Sequence, residues 1–593
     1  MNRIPLRPLA RILKARDSGE NPDVIEKENI RLRHEEMRDQ SRAREEGQLL
    51  VLGGFFLLAF LTVGFRMALL SGSDPVEPRS YAPGADIIAG RADIVDRQGR
   101  ILATNLATHS LYAQPHQMIE KEKAAQALAV IFPDLNAEEL LEDFTGKRKF
   151  LWIKKKISPE QMQMVHDIGE PGLLFGPREM RLYPNGKLAA HVLGGASFGR
   201  EGVHSAEVIG TAGIEKVYDD FLRDPAHGGA PLELSLDLTI QAASEDILKG
   251  GMKIMNAKGA ASVLMDIHTG EIISLVSLPN FDPNDRPQVL TEGDASDSPL
   301  FNRAVQGVYE LGSTFKIFTA AQALEERLVN PGTKINTKGP LTWGKHKIRD
   351  FHDYGKELSV TNVIVKSSNI GTARLAMEIG IKRQKDFLEK RGFFEPTPIE
   401  IVEARGAKPL LPKRWSEISL MTISYGHGLS ASPAHLAAAY ASVLNGGLKV
   451  RPTLLKTPAP EPGVRVVSEQ VSAQARSMLR QVVQRGTARF GEVPGYAVGG
   501  KTGTADKPKP RGGYYKEKVI ATFASVFPAH DPRFVLIVTL DEPTETTGTK
   551  PRRTAGWTAV PVAAEMIRRT APLLGLRPTL EPGQLVEVVQ TKN

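Results

Sequence analysis

One long apolar run near the amino end limits what this 593-residue chain can fold into. Residues 49–65 carry no charge, and more apolar residues follow a single arginine, so that the run covers 22 residues, 49–70. A helix of this length rises about 1.5 Å per residue and spans about 33 Å, the thickness of the apolar layer of a bilayer. We therefore predict a single transmembrane helix over 47–70.

A cleaved signal peptide and a buried core helix fit the run less well. A signal peptide would need residues 1–46 as its charged front region, which is far longer than such regions are. A core helix rarely carries so long an apolar run. Five basic residues precede the first acidic residue, and Arg42 and Arg44 lie just before the run. This bias predicts that residues 1–46 form a cytoplasmic arm and that the chain after the span lies outside.

The chain contains no cysteine. Disulfides, thiolate zinc sites and a cysteine nucleophile are therefore excluded. The thirteen histidines show no metal-ligand spacing, and we predict no metal or other cofactor. An exterior region of this size without cysteine is typical of the bacterial periplasm, so we predict a bacterial inner-membrane protein with a periplasmic catalytic domain. The net charge of +8 is spread along the chain and indicates no nucleic-acid partner.

The exterior region divides at a turn-rich break, His227-Gly228-Gly229. Residues 71–231 mix short strand-like runs with helical stretches, which predicts an elongated α+β pedestal. Residues 232–572 form a second domain, and 573–593 a tail. Within the pedestal, we predict strands at 92–95, 101–104 and 110–113 and a helical stretch at 121–144.

The second domain has predicted hairpins at both ends and helices between them. The first hairpin pairs 260–266 with 271–277, and the last pairs 519–527 with 534–540. Stretches such as 433–444 have helical periodicity. This order predicts one antiparallel sheet that is assembled from distant parts of the chain and covered by helices.

Three short motifs in this domain carry chemically active side chains. Ser-x-x-Lys at 313–316 opens a predicted helix, which puts a hydroxyl and an amine on one helical face. Ser-x-Asn follows 54 residues later, and Lys-Thr-Gly-Thr begins 188 residues after Ser313. Each motif alone is weak evidence. In this order they are the signature of penicillin-binding proteins and class A β-lactamases.

The chain as a whole resembles class B penicillin-binding proteins. Residues 91–99, 181–184 and 210–215 are similar to the pedestal motifs of that family, and 265–284 resembles the opening hairpin of its catalytic domain. Residues 309–313 are similar to the septal, division-specific branch, and the elongation branch is the alternative. The resemblance implies a single amino-terminal membrane helix, a pedestal or dimerisation-like domain, and an α/β transpeptidase domain of the serine β-lactamase type with an antiparallel sheet covered by helices.

The resemblance also implies a function and the residues that perform it. The expected activity is that of a peptidoglycan D,D-transpeptidase, which cross-links stem peptides at the division septum through a serine acyl-enzyme and is inhibited by β-lactams. Ser313 would be the nucleophile and Lys316 its base, with a pKa lowered by the charge of Lys501 and helped by partial burial. The other implied roles are a proton relay for Ser367, positioning of Lys316 and substrate for Asn369, carboxylate binding for Lys501, Thr502 and Thr504, close substrate approach at Gly503, and an oxyanion hole from the backbone N–H groups of Ser313 and Thr504.

Partners and alternatives follow from the same resemblance. The implied partners are lipid II-derived glycan strands, β-lactams as covalent inhibitors, a membrane glycosyltransferase of the SEDS family and other divisome membrane proteins. A secreted β-lactamase would lack the anchor and the pedestal. A β-lactam-binding sensor and a D,D-carboxypeptidase are further alternatives. A silent scaffold is disfavoured because all three motifs are intact.

Overall fold

A computed structural model describes residues 7–72, 91–201, 206–397, 399–457, 463–509 and 512–579. The chain forms two compact units, residues 1–87 and 88–593. Most of the predicted tail, from residue 580 onward, and the start of the predicted pedestal, residues 73–90, lie outside the described residues.

The first unit is helical. Its elements are α1 (Arg7–Asp17) and α2 (Pro22–Gly72). Gly19, with a φ of +73°, makes the turn between the two helices, and the backbone N–H of Glu20 closes it on the carbonyl of Ala15. The predicted membrane segment falls within α2, where the side chains of residues 51–67 are exposed. In the described part of the chain, no helix meets the length and hydropathy of a bilayer-crossing segment.

The second unit begins with the pedestal, residues 91–231, which is built around one long strand. Its strands are β1 (Ile94–Val95), β2 (Ile101–Ala113), β3 (Leu151–Ile157), β4 (Leu173–Leu182), β5 (Gly195–Glu201) and β6 (Ala206–Ala212). Its helices are α3 (Lys121–Ile131), α4 (Ala137–Thr145), α5 (Pro159–His166), α6 (Ala190–Leu193), α7 (Gly213–Val217) and α8 (Asp219–Arg223). Strand β2 pairs antiparallel with β1, β3 and β4, and β5 pairs with β6. A further strand, β7 (Leu232–Glu233), pairs parallel with β1 and leads the chain into the second domain.

Two details of the pedestal prediction were wrong. The strands expected at 101–104 and 110–113 are parts of one 13-residue strand, β2. Pairing with β4 from Thr104 to Ala113 holds its exposed middle extended, which local sequence does not reveal. The single helical stretch expected at 121–144 is two helices, α3 and α4. Pro133 follows the end of α3, and a proline disfavours helical backbone in the residue before it.

The three pedestal stretches that resemble family motifs meet in one buried ion cluster. Glu215 lies 2.6 Å from a guanidinium nitrogen of Arg91 and 2.7 Å from Nε of Arg181. Arg91 also pairs with Asp219 at 2.7 Å, and the hydroxyl of Tyr183 donates to Glu215 at 3.3 Å. Each buried arginine of this cluster therefore has a carboxylate partner.

The second domain contains a five-stranded sheet and most of the helices. Its strands are β8 (Gly259–Asp266), β9 (Ile272–Leu278), β10 (Lys334–Asn336), β11 (Leu341–Trp343), β12 (His346–Ile348), β13 (Glu357–Ser359), β14 (Gly499–Pro508), β15 (Tyr514–Phe527) and β16 (Phe534–Asp541). Its helices are α9 (Leu238–Ile254), α10 (Lys316–Glu325), α11 (Val360–Lys366), α12 (Asn369–Ile379), α13 (Ile381–Glu389), α14 (Val402–Arg405), α15 (Glu417–Ser424), α16 (Pro433–Leu444), α17 (Glu469–Arg485) and α18 (Ala559–Leu573).

The sheet confirms the predicted assembly from distant sequence. Its order is β14-β15-β16-β8-β9, and every neighbouring pair is antiparallel. Strand β16 joins the two hairpins by pairing Phe534 with Asp266. All residues of β16 are buried, so both faces of the sheet are covered. Helices α9, α16, α17 and α18 pack against it, and α10 packs against α17 with nearly every residue buried.

Candidate active site

Ser313 lies in a tight turn at the start of the buried helix α10. The turn is a 3-10 segment, Gly312–Phe315, and Gly312 opens it with a φ of +55°, which glycine adopts without steric penalty. The hydroxyl of Tyr440 donates to the carbonyl of Thr314 at 2.8 Å from within the core. Ser313 itself is half-buried. We call Gly312–Phe315 the nucleophile turn.

The Ser-x-Asn motif lies at the junction of α11 and α12. Ser367 ends α11 in the left-handed conformation, with a φ of +62°, which costs a serine about 1–3 kcal/mol. This backbone directs both its carbonyl and its hydroxyl to Lys316. Ser368 caps α12 by accepting from the N–H of Gly371 at 2.9 Å, and Asn369 is the first residue of that helix.

Lys501 lies on β14, an edge strand of the sheet that borders the nucleophile turn. A Cβ atom on Gly503 would lie 2.1 Å from the carbonyl oxygen of Leu311, and one on Gly312 would lie 2.8 Å from that of Thr504. The turn itself therefore excludes a side chain at 503. The structure thus supplies an internal reason for glycine at 503, and the expected close approach of substrate there stays a prediction.

Four of the predicted side chains meet in one buried network beside the nucleophile turn. The Nζ atom of Lys316 lies 2.5 Å from the carbonyl oxygen of Ser367, 3.1 Å from its Oγ and 2.7 Å from Oδ1 of Asn369. The Nζ atom of Lys501 donates to the same Oγ of Ser367 at 3.0 Å. Lys316 directly follows the turn, and its backbone N–H donates to the carbonyl of Ser313. The three motifs therefore converge in space. We call Lys316, Ser367, Asn369 and Lys501 the lysine network.

The electrostatics of this network favour neutral amines. Burial, and after it the charge of Lys501, hold the pKa of Lys316 well below its ordinary value, although Asp350 acts in the opposite direction. Burial lowers the pKa of Lys501 to about 7. From the sequence we gave repulsion by Lys501 the leading part and burial the lesser one. The order is reversed because neither lysine has any exposed surface.

The two threonines of the Lys-Thr-Gly-Thr motif are tied to other elements. The hydroxyl of Thr502 lies 2.7 Å from that of Thr487. The Oγ1 atom of Thr504 accepts from the backbone N–H of Ala555 at 3.0 Å, which leaves its own O–H available as a donor. Thr502 joins the lysine network only through its carbonyl oxygen, which accepts from Lys501 at 3.1 Å.

Asp350 is a site residue that the sequence analysis missed. Its carboxylate accepts from the hydroxyl of Ser368 at 2.6 Å and from the backbone N–H groups of Asn369 and Ile370 at 2.5 and 3.0 Å. A carboxylate at the start of α12 satisfies free N–H groups there and fixes the direction of Asn369. Asp350 belongs to no motif and lies 19 residues before Asn369, so only its proximity in the fold reveals it.

Comparison with known families agrees with the two-domain division of the second unit. Residues 260–566 match the penicillin-binding protein transpeptidase domain, and residues 86–228 match the penicillin-binding protein dimerisation domain.

Individual relatives extend over most of the chain. The Caulobacter vibrioides protein named "Probable peptidoglycan D,D-transpeptidase FtsI" is 34% identical over 567 residues, which are 92% of each chain. The Neisseria meningitidis protein named "Probable peptidoglycan D,D-transpeptidase PenA" is 33% identical over 77% of this chain and 80% of its own. A crystal structure of penicillin-binding protein 3 from Mycobacterium tuberculosis, complexed with aztreonam, has a TM-score of 0.63 at 26% identity and covers 83% of this chain and 98% of that one. The chain therefore belongs to the penicillin-binding protein family of peptidoglycan D,D-transpeptidases, with a dimerisation domain before the transpeptidase domain.

Proposed function

We propose that this chain cross-links peptidoglycan stem peptides at the division septum through an acyl-enzyme on Ser313. One observation carries the proposal. The buried amines of Lys316 and Lys501 and the hydroxyl of Ser367 form a single hydrogen-bonded network at the end of the nucleophile turn. The hydroxyl of Ser313 attacks the carbonyl carbon of the penultimate D-Ala and forms an ester, and the terminal D-Ala leaves. An amine of a neighbouring stem then attacks the ester, forms the cross-link and frees Ser313.

Lys316 takes the proton from Ser313 in this scheme. A lysine acts as a base only when it is neutral, which its burial favours. A neutral amine has two N–H donors, and its two shortest contacts are to the oxygens of Ser367 and Asn369, at 2.5 and 2.7 Å. The lone pair then remains for a hydroxyl proton, and the amine lies one turn after the nucleophile.

Ser367 carries the proton onward to the leaving amine. Its Oγ lies 3.1 Å from Lys316 and 3.0 Å from Lys501, so it bridges the two amines. A hydroxyl both donates and accepts, and a proton can therefore pass along this chain in either direction. Lys501 in its protonated form, together with the O–H of Thr504, binds the terminal carboxylate of the substrate.

The backbone N–H groups of Ser313 and Thr504 form the oxyanion hole in this proposal. The argument is the close approach of the nucleophile turn to β14: a Cβ atom on Gly312 would lie only 3.1 Å from the backbone nitrogen of Thr504. One such donor typically contributes about 3–4 kcal/mol to transition-state stabilisation.

The place of action is also part of the proposal. The apolar run 49–70 anchors the chain in the bacterial inner membrane, with the arm 1–46 in the cytoplasm and the catalytic domain in the periplasm. A membrane glycosyltransferase of the SEDS family and other divisome membrane proteins contact the pedestal and the membrane helix. The septal role is supported by residues 309–313 and by the similarity to a relative named FtsI. A fluorescent fusion at mid-cell supports it, and one along the side wall would favour the elongation branch instead.

The acyl-enzyme is tested with the purified full-length chain and a fluorescent penicillin. We expect covalent labelling of the wild type and of Ser419→Ala, a matched control on α15, and none of Ser313→Ala. Circular dichroism of the three proteins checks that each is folded. Labelling that persists in Ser313→Ala would refute the nucleophile assignment.

A further inference from the structure

Three segments of the transpeptidase domain meet at one carboxylate, that of Glu310, three residues before Ser313. Its Oε1 accepts from the backbone N–H of Gly428 at 2.7 Å, and its Oε2 lies 3.0 Å from Nδ1 of His427. The hydroxyl of Tyr514 donates to the same carboxylate, at 3.0 Å from Oε1 and 3.2 Å from Oε2. No local sequence pattern indicates this partner of His427, because Glu310 lies 117 residues before it.

The partners of Glu310 lie on the two elements that border the nucleophile turn. Tyr514 is the first residue of β15, the partner strand of β14, which carries Lys501 and Thr504. His427 and Gly428 belong to a turn that touches the nucleophile turn. The N–H of Gly312 donates to the carbonyl of Gly426 at 3.1 Å.

Glu310 is built to stay charged. Only 9% of its side chain is exposed. Burial alone raises the pKa of a carboxyl, but the hydrogen bonds from His427, Gly428 and Tyr514 outweigh it and hold the pKa of Glu310 below its ordinary value. Burial and the charge of Glu310 raise the pKa of Tyr514 to about 12, so its hydroxyl remains a donor at physiological pH.

We propose that Glu310 is a positioning residue for acylation, which acts through Tyr514 and His427 to hold the β14-β15 hairpin and the 426–428 turn at a fixed distance from Ser313. The proposal rests on the acyl-enzyme function above. The reacting carbonyl has to fit between Ser313 and the edge of β14, and Glu310 ties the two sides of that gap together. Without the tie, the hairpin end can move away from the nucleophile turn, and fewer bound ligands reach the reactive geometry.

The chain offers isosteric variants and a matched control. Glu310→Gln keeps the size of the side chain and an acceptor for Gly428 but removes the charge, and Tyr514→Phe removes only the donating hydroxyl. Tyr515→Phe changes the next residue of the same strand, whose ring lies over Lys509 and Lys518 instead. Stopped-flow labelling with a fluorescent penicillin gives the pre-covalent dissociation constant, the first-order acylation rate and the labelled fraction separately.

We expect Glu310→Gln and Tyr514→Phe each to lower the first-order acylation rate about tenfold, with an unchanged labelled fraction. The double variant should be no slower than Glu310→Gln, because both changes break the same tie. Tyr515→Phe should match the wild type within about twofold. A Tyr514→Phe rate equal to the wild type, an equal loss in Tyr515→Phe, fully multiplicative losses in the double variant, or a smaller labelled fraction at an unchanged rate would each overturn the positioning role. If the wild type is labelled rapidly, the acyl-enzyme forms as proposed. A negative result in the variants then counts against the positioning role of Glu310 alone.

Discussion

One buried polar cluster lies in the pedestal and another lies beside Ser313, and they differ in how their charges are matched. In the pedestal, Arg91 and Arg181 face Glu215 and Asp219 at 2.6–2.7 Å, so each buried cation has a carboxylate partner. In the lysine network, Lys316 and Lys501 share the hydroxyl of Ser367, and no carboxylate of the described residues is among their direct hydrogen-bond partners.

The difference separates a cluster that holds structure from one to which we assign the chemistry. A buried ion pair keeps both partners charged, and removing one partner leaves the other uncompensated. Buried amines without an anion lose affinity for protons, which makes them bases near neutral pH. Folding tolerates the second arrangement because the amine of Lys316 donates hydrogen bonds to the oxygens of Ser367 and Asn369. The same kind of residue, a buried cation, thus has opposite consequences in the two domains.

Replacing Lys316 should give the largest loss of activity. Lys316→Met removes the proposed base but nearly keeps the volume of the side chain, and we expect the acylation rate to fall at least about a thousandfold. Thermal unfolding should show at most a small loss of stability, because the substitution leaves no large cavity and breaks no buried ion pair. A variant that acylates normally, or one that unfolds as readily as a broken ion pair does, would contradict the contrast between the clusters.

Replacing Glu215 should have the opposite effect. Glu215→Gln leaves Arg91 and Arg181 buried with one carboxylate fewer, and we expect the free energy of unfolding to fall by about 3–5 kcal/mol. Urea unfolding measures this change. Molecules that remain folded should acylate within about twofold of the wild-type rate. Glu233→Gln, at an exposed ion pair with Lys456, is the control and should change stability by less than about 1 kcal/mol. A similar small change in Glu215→Gln would show that the pedestal cluster is not structural.

The sequence predicted the catalytic side of this comparison better than the structural side. Local patterns were sufficient for the three motifs and for four of the five strands, since β8, β9, β16 and the buried part of β15 are apolar runs bounded by turns. Arg91, Arg181 and Glu215 were singled out only as parts of motif-like stretches. Their pairing spans 124 residues for Arg91 and Glu215, and no local pattern encodes such a contact.

The residues that the sequence missed contact other segments of the chain. Asp350 accepts hydrogen bonds from the start of α12, and it lies in a separate loop. Glu310 accepts a hydrogen bond from Tyr514, in a hairpin more than 200 residues away. Neither residue has a spacing from the three motifs that would mark it as part of the site. The weight of burial in the pKa of Lys316 was also missed, because burial depends on how α10 packs against the rest of the domain.

The pH dependence of stability offers a third way to sharpen the contrast. The pKa of Lys501 is about 7 in the folded chain and about 10.4 for an unperturbed lysine in the unfolded chain. Between these values the unfolded state binds a proton that the folded state does not. Stability therefore rises with pH in this window, by up to about 1.4 kcal/mol per pH unit from Lys501.

This contribution should be absent in Lys501→Met. Urea unfolding of the wild type and the variant at pH 7, 8 and 9 measures the difference between their slopes, in which titrating groups that do not interact with Lys501 cancel. Lys258→Met, at a half-exposed ion pair with Asp297, is the control and should keep the wild-type slope. Parallel slopes for the wild type and Lys501→Met would mean that Lys501 keeps its proton in the folded chain.

The smallest expected effect concerns the binding of a ligand carboxylate to Lys501. Lys501 donates to Ser367 and to the carbonyl of Thr502, so the protonated amine has one N–H left for a ligand carboxylate. The ligand carboxylate would thus give the lysine network an anion, as Glu215 and Asp219 do in the pedestal cluster. Lys501→Met should therefore slow acylation by a penicillin about tenfold more than acylation by its methyl ester, at a pH below 7 where Lys501 is protonated. Equal losses for acid and ester would assign Lys501 to proton transfer alone. The substrate carboxylate would then not pair with Lys501.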